Sequence, residues 1–233
     1  MNIFNKKNII KHSGLHELIP SLVPAKSKVP DWYKNAKKHV GEKDIIELPA
    51  SLGFKYCSSF QDAFLTGYII PLPVDIAVKQ TEGGPSISWS DLSTRYLQVR
   101  ERETNETLPT PEGFSDVHFV WETQLMFKIP KGHSILLTHP LNRLDLPFFT
   151  LSGIVDGEFV MQNGNIPVFF SKTFEGIIPA GTPIAQVIPF KTEDWTSKLD
   201  TSILEEGHRN SKKSAMAAYG WYKKNLWKKK KYD

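Results

Sequence analysis

Two short strings in the middle of the chain carry the residues best suited to chemistry. The first runs from Gly153 to Phe159 and places Asp156 in a turn between two predicted strands. The second, Ile178 to Val187, is a glycine turn leading into an apolar strand that holds one polar residue, Gln186. A carboxylate in such a turn can hydrogen-bond a ligand hydroxyl or orient a water molecule. It can also cap the backbone N–H groups of its own turn, and the spacing alone favours this structural role.

Other templates for catalysis are missing from the sequence. There is no Gly-x-Ser-x-Gly nucleophile elbow, no P-loop and no Gly-x-Gly-x-x-Gly motif after a predicted strand. The seven histidines lack paired metal-binding spacing, and His12 with His16 lacks a third ligand. The single Cys57 excludes an intramolecular disulfide and a cysteine-based zinc site, and it fits a reducing compartment. Since a lone cysteine is usually a small buried apolar residue, we expect Cys57 to be buried.

The two strings resemble motifs of the dUTPase and dCTP deaminase superfamily. The first is similar to the third motif of that family, and the second is similar to its fourth. Pro73–Ala77, with Asp75 before an aliphatic residue, resembles the first motif, and Pro130–Gly132 resembles the turn that leads into the second. All four occur in the family's order between Pro71 and Phe190, and a long insert interrupts them.

The resemblance implies a distorted antiparallel β-barrel that forms a homotrimer with sites between subunits. Asp156 would hold the sugar hydroxyl and a water molecule, Phe159 would stack on the deoxyribose, and Gln186 would reach a phosphate. Asp75 would help to place Mg²⁺ through water, because this ion prefers oxygen ligands and bridging phosphates. Any implied activity is that of a nucleotide pyrophosphohydrolase.

Two parts of the family pattern are not matched. The second motif should present an Arg-Ser pair to the phosphates, but here the run offers Thr138, His139 and Arg143 as candidate anion contacts. The glycine-rich fifth motif, which closes over the nucleotide, is replaced by a lysine-rich C-terminal segment. Because these parts would stabilise the charge of a phosphoryl transition state, the resemblance predicts a fold and a ligand without predicting catalysis.

The chain as a whole also resembles an uncharacterised family found largely in tailed bacteriophages. That resemblance rests on the string Pro30–Tyr33 and on the Ile-Pro-Phe-Lys string after Gln186, and it implies a location in the host cytoplasm or the virion. The first hypothesis is a protein that binds a nucleotide or related phosphate ligand. The alternative is a non-catalytic, oligomeric structural or assembly protein of a bacteriophage.

The candidate residues must be positioned by a β-rich core. Sixteen prolines and fifteen glycines, spread along the chain, favour many turns and predict an all-β fold over residues 51–195 with a surface insertion around residues 80–115. The predicted strand regions are Gly67–Val78, Ile87–Trp89, Arg95–Val99, Val117–Phe127, His133–Thr138, Phe148–Val155, Asn165–Phe170 and Ile184–Phe190.

Two flanking segments are predicted outside that core. Residues 1–50 contain prolines that exclude a continuous helix and indicate an extended arm, with a short helix over Pro30–Lys38. Trp32 and Tyr33 are predicted to pack this helix onto the core. Residues 196–233 are predicted to be a basic amphipathic helical tail that carries about +8 from His208 onward. Its apolar spacing favours packing, on its own or a neighbouring subunit, over binding of nucleic acid.

The sequence contains no targeting or membrane signal. The N-terminus lacks the apolar core of a signal peptide, and no stretch approaches the ~18 apolar residues of a membrane span. With 40% hydrophobic and 23% charged residues, the composition is that of a globular protein. We therefore expect a cytoplasmic protein without a membrane partner.

Overall fold

The computed structural model of the protein describes residues 8–14, 21–38, 53–90, 98–101, 108–156, 165–216 and 221–233. These residues form many short strands and few helices, which confirms the prediction of a β-rich fold. The strands are β1 (Lys11–Gly14), β2 (Val23–Pro24), β3 (Tyr68–Pro71), β4 (Ile76–Thr81), β5 (Gly84–Ser88), β6 (Gln98–Glu101), β7 (Phe119–Glu122), β8 (Leu125–Lys128), β9 (His133–Thr138), β10 (Phe148–Thr150), β11 (Gly153–Asp156), β12 (Asn165–Phe170), β13 (Gly176–Ile178) and β14 (Pro183–Lys191).

The helices are short and lie mainly near the two ends of the described chain. They are α1 (Asp31–Lys34), α2 (Ser58–Leu65), α3 (Ile203–Met216) and α4 (Trp221–Asn225), with single 3-10 turns at Ala25–Lys28 and Phe54–Tyr56. The helix predicted over Pro30–Lys38 is therefore only one turn long, and α2 was not predicted at all. Within the described parts of the chain, none of the helices has the length and apolar character that crossing a membrane requires.

The strands divide into four antiparallel sheets, and the described strands do not join into one closed barrel. Their strand orders are β1-β8, β10-β12-β7-β6, β11-β9-β14-β3-β2 and β13-β4-β5. Three predicted strand regions are split between sheets, and one of them, Phe148–Val155, divides into β10 and β11. Leu72 to Asp75 leave the strand path between β3 and β4, and Gln124 adopts a φ of 54° between β7 and β8. Such a φ is unfavourable within a strand, so the chain turns there into a different sheet.

A buried hydrogen-bond chain joins the four-stranded sheet to the five-stranded sheet. Trp121 on β7 is fully buried, and its Nε1–H donates to Thr150 Oγ1 on β10 at 3.2 Å. The Thr150 hydroxyl in turn donates to the carbonyl oxygen of Ile184 on β14 at 2.7 Å. The indole also packs edge-on against Phe148 and Phe170. These contacts fix the central strand β14 against the neighbouring sheet.

The described N-terminal residues follow an extended path and pair with the chain's own sheets. β1 pairs with β8, and β2 extends the edge of the five-stranded sheet by pairing with β3. Tyr33 of α1 is buried, and its ring contacts Phe54, Phe60 and Phe64. The aromatic cluster fixes α1 against α2, whereas the predicted packing of Trp32 differs from the structure, in which Trp32 is 40% exposed.

The predicted surface insertion around residues 80–115 contributes strands to two sheets. β5 pairs with β4 over five positions, and β6 pairs with β7 over four. Part of the predicted insertion lies outside the described residues. The described part of the predicted insertion is therefore hydrogen-bonded to β4 through β5 and to β7 through β6.

Candidate functional site

Gln186 lies in the middle of β14 and is almost completely buried. Its Oε1 accepts a hydrogen bond from the backbone N–H of Leu141 at 2.8 Å. Its Nε2 donates to the carbonyl oxygens of Ala63 at 3.0 Å and Thr66 at 2.6 Å, at the end of α2. The amide thus clamps the loop after β9 and the end of α2 onto the sheet, and each of its polar atoms has a partner.

His139 begins the loop after β9 and is held in one neutral tautomer. The backbone N–H of Thr150 donates to Nδ1 at 3.3 Å, so Nε2 carries the proton and donates to the carbonyl oxygen of Arg143 at 2.9 Å. The ring stacks on Phe149 with a centroid distance of 5.1 Å. Burial is the main cause that lowers the pKa of His139 below its usual value. The ring therefore supports the loop as a neutral group.

Arg143 is paired with a carboxylate of the same loop. Its Nε and Nη2 donate to the two oxygens of Asp145 at 2.8 and 2.9 Å. Asp145 also accepts a hydrogen bond from the indole N–H of Trp32 on α1 at 3.2 Å. Burial alone would raise the pKa of Asp145, but the hydrogen bonds and charge of Arg143, with the bond from Trp32, hold it below the usual value. The pair attaches α1 to the loop.

Thr138 completes a group of four predicted site residues that the structure brings together. It lies directly opposite Gln186 in the pairing of β9 with β14. Its hydroxyl is 2.7 Å from the hydroxyl of Ser152, and either group can be the donor. The loop from Pro140 to Leu146 is therefore held by His139, Arg143 and Gln186, while Thr138 connects β9 with Ser152. All four are engaged with other groups of this chain.

Asp75 lies at a different place, before β4, and caps the glycine turn of the second string. Its Oδ1 accepts a hydrogen bond from the backbone N–H of Ala180 at 2.6 Å. The turn needs a glycine, because Gly181 has a φ of +80° and an added Cβ would lie 3.3 Å from Lys28 Nζ. The carboxylate thus fixes the entry to β14.

Asp156 ends β11, the free edge strand of the five-stranded sheet, and its side chain is exposed. The hydroxyl of Ser134, a buried residue opposite it on β9, donates to Asp156 Oδ1 at 2.6 Å. Ser134 Oγ also lies 2.7 Å from Thr192 Oγ1. Within the described part of the chain, Asp156 Oδ2 makes no hydrogen bond. Among the described contacts, this carboxylate is therefore oriented by one hydrogen bond, from Ser134.

The acids and Gln186 do not meet in one cleft of a single chain. Gln186 pairs with Thr138 and Asp156 pairs with Ser134, four positions away on β9, which is about 13 Å along a strand. Asp75 lies at the opposite end of β14, beside its entry turn. Phe159 lies outside the described residues. The ligand-binding roles of these residues remain predictions.

The described residues do not assemble a Mg²⁺ site within one chain. They contain no group of three or more His, Cys, Asp or Glu side chains placed to hold a metal ion. Asp75 and Asp156, the two candidate oxygen donors, lie at opposite ends of the sheet, whereas Mg²⁺ requires near-octahedral oxygen ligands at about 2.1 Å. Mg²⁺ would therefore depend on oxygens supplied by a bound phosphate or another subunit.

Several residues that organise this region were not singled out by the sequence. Ser134, Asp145 and Thr150 each hold a predicted site residue in place. The spacing Arg-x-Asp in a turn-rich loop was a signal for the pair of Arg143 with Asp145. The expected burial of Cys57 is wrong: this residue is exposed, immediately before α2.

The end of the described chain returns to the body and is seated on α2 and β3. The carboxylate of Asp62 accepts a hydrogen bond from Trp227 Nε1 at 2.9 Å and forms an ion pair with Lys230. The ring of Tyr232 packs edge-on against Tyr68, and Asp233 pairs with Lys26. We call this the C-terminal seat. It gives Trp227 and Tyr232, which follow α4, a packing role.

After β14, the chain leaves the body. Residues 192–200 have neither helix nor strand, and α3 follows them. Every side chain from Lys191 to Arg209 is exposed. We call residues 192–204 the apolar linker, because this segment carries exposed large apolar side chains, namely Trp195, Leu199, Ile203 and Leu204. No predicted site residue lies in it.

Comparisons with known proteins find distant likeness only. No protein family model matches the chain, and no curated protein matches its sequence. A point mutant of the Staphylococcus bacteriophage 80alpha dUTPase has a TM-score of 0.36 and 11% identity over 84% of this chain and 96% of that one. Another mutant of that dUTPase, with dUpNHpp, has a TM-score of 0.36 and 13% identity over 84% and 88% of the two chains.

A third solved structure of this kind comes from phage phi11 of S. aureus. It is a mutant dUTPase described with a structural Mg(II) ion, and it has a TM-score of 0.34 and 12% identity over 83% of this chain and 96% of that one. At such low sequence identity and TM-score, the likeness carries no conclusion about what this chain does.

Proposed function

We propose that the chain is a non-catalytic building block that assembles with further copies of itself through the apolar linker. One observation carries this proposal. Four large apolar side chains of this short segment stay exposed, namely Trp195 at 85%, Leu199 at 91%, Ile203 at 62% and Leu204 at 58%. Together they give this segment exposed apolar side chains that a contact with another protein could bury.

The hydrogen bonds of the candidate ligand-binding residues support the same proposal. Gln186 and His139 have all their polar atoms in hydrogen bonds, and the Arg143 guanidinium is neutralised by Asp145. A phosphate would have to displace these partners and leave buried groups unsatisfied, which costs about 1–3 kcal/mol for each group. Phosphate recognition normally relies on such cationic and N–H donors being available. The loop is thus better suited to support the fold than to bind an anion.

Assembly through the apolar linker agrees with the alternative expected from the phage-family resemblance. In that role, the protein would be a structural or assembly component of a bacteriophage, and the β-core would serve as a rigid body that presents the linker. The described N-terminal strands pair within their own chain. The C-terminal side would therefore provide the contacts between copies.

We predict that the unmodified chain forms an oligomer in solution and that the double variant Trp195→Glu with Leu199→Glu dissociates it. Burying each of these side chains contributes about 1.5–3 kcal/mol, so the dissociation constant should rise by about a hundredfold or more. Light scattering coupled to gel filtration, or sedimentation velocity, measures the change against a chain mass of 26.5 kDa.

Leu144→Glu is the matched control. Leu144 is as exposed as Leu199, at 91%, but it lies in the loop after β9. This variant should keep the oligomer intact. A chain that remains monomeric at high concentration would contradict the proposed function, and dissociation by Leu144→Glu alone would move the interface to the β9 loop.

A second candidate function, binding of a nucleotide, rests on one observation about Asp156. Its carboxylate is exposed at a sheet edge, oriented by Ser134, and has one oxygen open among the described contacts. An oriented acceptor of this kind can hold a sugar hydroxyl. We propose that a nucleotide site, if the oligomer builds one, forms around this edge with groups from a neighbouring subunit.

We predict that Asp156→Asn weakens such binding by about tenfold, as expected for loss of a charge-assisted hydrogen bond. Calorimetric titration with dUTP, dCTP or dTTP in the presence of Mg²⁺ measures the affinity. Asp116→Asn, which alters another exposed acid, should bind as the unmodified chain does. Flat titrations of the unmodified oligomer with all three nucleotides would reject the nucleotide hypothesis.

A further inference from the structure

Two aromatic side chains, one on α1 and one on the 3-10 turn before α2, form an exposed pair. Trp32 is 40% exposed and Phe54 is 49% exposed, and their ring centroids lie 6.2 Å apart. Beneath them, the buried ring of Tyr33 contacts Phe54 at 6.1 Å and Phe64 of α2 at 4.7 Å. We call Trp32 and Phe54 the aromatic pair. It presents ring surface to solvent from a packed base.

Lysines lie beside the aromatic pair. The exposed residues Lys37 and Lys38 follow α1, and the N–H of Gly53 donates to the carbonyl oxygen of Lys38 at 2.9 Å. This close approach needs a glycine, because an added Cβ would lie 2.7 Å from the carbonyl oxygen of Lys37. Lys55 follows directly after the pair's phenylalanine, and its ammonium group donates to the carbonyl oxygen of Ala36 at 3.2 Å. Three lysines are thus fixed next to the pair.

A second group of lysines lies across α2 from the aromatic pair. Phe64 contacts Trp32 at 5.7 Å, whereas Asp62, two positions earlier and therefore on the opposite side of the helix, holds Lys230 in the C-terminal seat. The neighbours of Lys230 are also exposed lysines, namely Lys228, Lys229 and Lys231. Because a helix is only about 10 Å across, an extended ligand can reach from one group of lysines to the other.

The acids of these segments are already paired. Residues 21–38, 53–66 and 226–233 together contain ten lysines and three acidic residues. The three ion pairs are Lys34 with Asp31, Lys230 with Asp62, and Lys26 with Asp233. Each acid is therefore matched by one lysine, and the other lysines leave these segments with an excess of positive charge. A ligand that complements them must carry several negative charges.

Single-stranded nucleic acid has both properties that this surface complements. Its phosphates carry a negative charge at each nucleotide, and its unpaired bases offer flat faces that stack on aromatic rings. An acidic polypeptide would complement the lysines alone. A duplex would also complement the lysines, but its bases are stacked on one another and must be taken out of the stack before a side chain can cover their faces. Exposed rings between lysines therefore favour the single strand.

We propose that this surface binds single-stranded nucleic acid, with bases stacked on Trp32 and Phe54 and phosphates held by the lysines on both sides of α2. The inference goes beyond self-assembly and does not use the apolar linker. In the C-terminal segment the contacts come from the lysines, because Trp227 and Tyr232 are packed on the body. The stacking is independent of base sequence, so the surface binds strands of mixed sequence.

Fluorescence anisotropy with labelled oligo(dT) and oligo(U) of about 15 nucleotides tests the inference on the full chain. Both are measured because rings and lysines do not distinguish DNA from RNA, and binding of either one supports the inference. Affinity should fall as the salt concentration rises. The variant Trp32→Leu with Phe54→Leu should bind at least about tenfold more weakly at the same salt concentration, because leucine keeps the apolar packing on Phe64 but cannot stack on a base.

The lysines are tested by a different measurement, the slope of log Kd against log salt concentration. Lys228→Gln with Lys229→Gln removes two phosphate contacts and should reduce this slope by about 1.4, whereas the ring variant should leave the slope unchanged. Lys79→Gln with Lys172→Gln is the matched control. It changes two exposed lysines elsewhere and should keep both the slope and the affinity.

Two further measurements locate the bound strand. Phe190 is about as exposed as Trp32, at 38%, but lies at the end of β14, so Phe190→Leu should bind as the unmodified chain does. Cys57 is the chain's single cysteine and is exposed at the start of α2, close to the aromatic pair. A bound oligonucleotide should therefore slow the alkylation of Cys57 by iodoacetamide.

The inference is overturned if neither oligonucleotide binds at low salt, or if the ring variant binds as tightly as the unmodified chain. Equal affinity for a duplex, or displacement of the strand by polyglutamate of the same charge, would also overturn it. Circular dichroism checks that each variant is folded, and the lysine variant remains a test if the ring variant is not. A monomeric chain that binds the strand would contradict only the proposed function, and an oligomer that binds none would contradict only this inference.

Discussion

Replacing Gln186 with Leu is expected to lower the free energy of unfolding by about 3 to 5 kcal/mol. The substitution removes one acceptor and two donors at once from a residue that is only 2% exposed. The N–H of Leu141 and the carbonyl oxygens of Ala63 and Thr66 then lose their partner inside the protein. Chemical denaturation followed by tryptophan fluorescence measures the effect.

Asn165→Ala is the matched control, because it truncates an amide that is exposed on β12. It should change the stability by less than about 0.5 kcal/mol. If Gln186→Leu unfolds at the same denaturant concentration as the unmodified chain but loses nucleotide binding, Gln186 contacts a ligand, as the resemblance implies, and the clamp is not its main role.

Gln186→Glu provides a second test, because the direction in which its stability changes with pH can be predicted. A carboxylate keeps the acceptor for Leu141 but cannot donate to the carbonyl oxygens of Ala63 and Thr66. Burial would raise the pKa of the new acid above its unfolded value, so its protonated form fits the site better. The deficit in stability relative to the unmodified chain should therefore shrink as the pH falls and grow as the pH rises.

Replacing Trp121 with Ala is expected to cost about 4 kcal/mol of unfolding free energy. The side chain is fully buried, packs edge-on against Phe148 and Phe170 at 5.2 and 5.5 Å, and donates to Thr150. Its loss leaves a cavity between the four-stranded and five-stranded sheets. Denaturation by guanidinium measures the total, and amide hydrogen exchange should show the four-stranded sheet opening first.

Trp121→Phe separates packing from hydrogen bonding at this position. It keeps an aromatic ring and removes the N–H donor, so it should lose less than half as much stability as the alanine variant. Ile177→Ala, on the exposed edge strand β13, should be neutral within about 0.5 kcal/mol. A loss below about 1 kcal/mol for Trp121→Ala would mean that the two sheets do not depend on this contact.

Local patterns were sufficient to predict some elements. β9 and β12 begin and end where the sequence predicts them, because their strand-forming residues are bounded by turn signals. The points at which predicted strands divide between sheets could not be predicted in this way. The break between β7 and β8 depends on the positive φ of Gln124, a residue type that gives little warning of that conformation. The division into four sheets could not be predicted from strand-forming patterns alone.

At this site, the residue types in the sequence indicate which side chains are important better than they indicate what each side chain does. Gln186 is conspicuous in the sequence as one polar residue in an apolar strand. Its partners, however, are backbone groups 45 to 123 positions away, and backbone groups have no signature in a sequence. Arg143 is similar, since only the structure shows that its guanidinium is turned toward Asp145. One polar residue in an apolar core strand can thus contact a ligand or hold other parts of its own chain in place. The sequence pattern is the same in both cases.

The position of β14 has a consequence for how the chain is made. This strand lies in the middle of the five-stranded sheet, with β9 on one side and β3 on the other, yet among the described strands it is the last to be synthesised. Until residues 183–191 leave the ribosome, β3 and β9 each lack their common neighbour and expose an unpaired edge. Such edges favour aggregation. Completion of the sheet must therefore wait for nearly the whole core, and nascent chains of this protein should depend on chaperones until then.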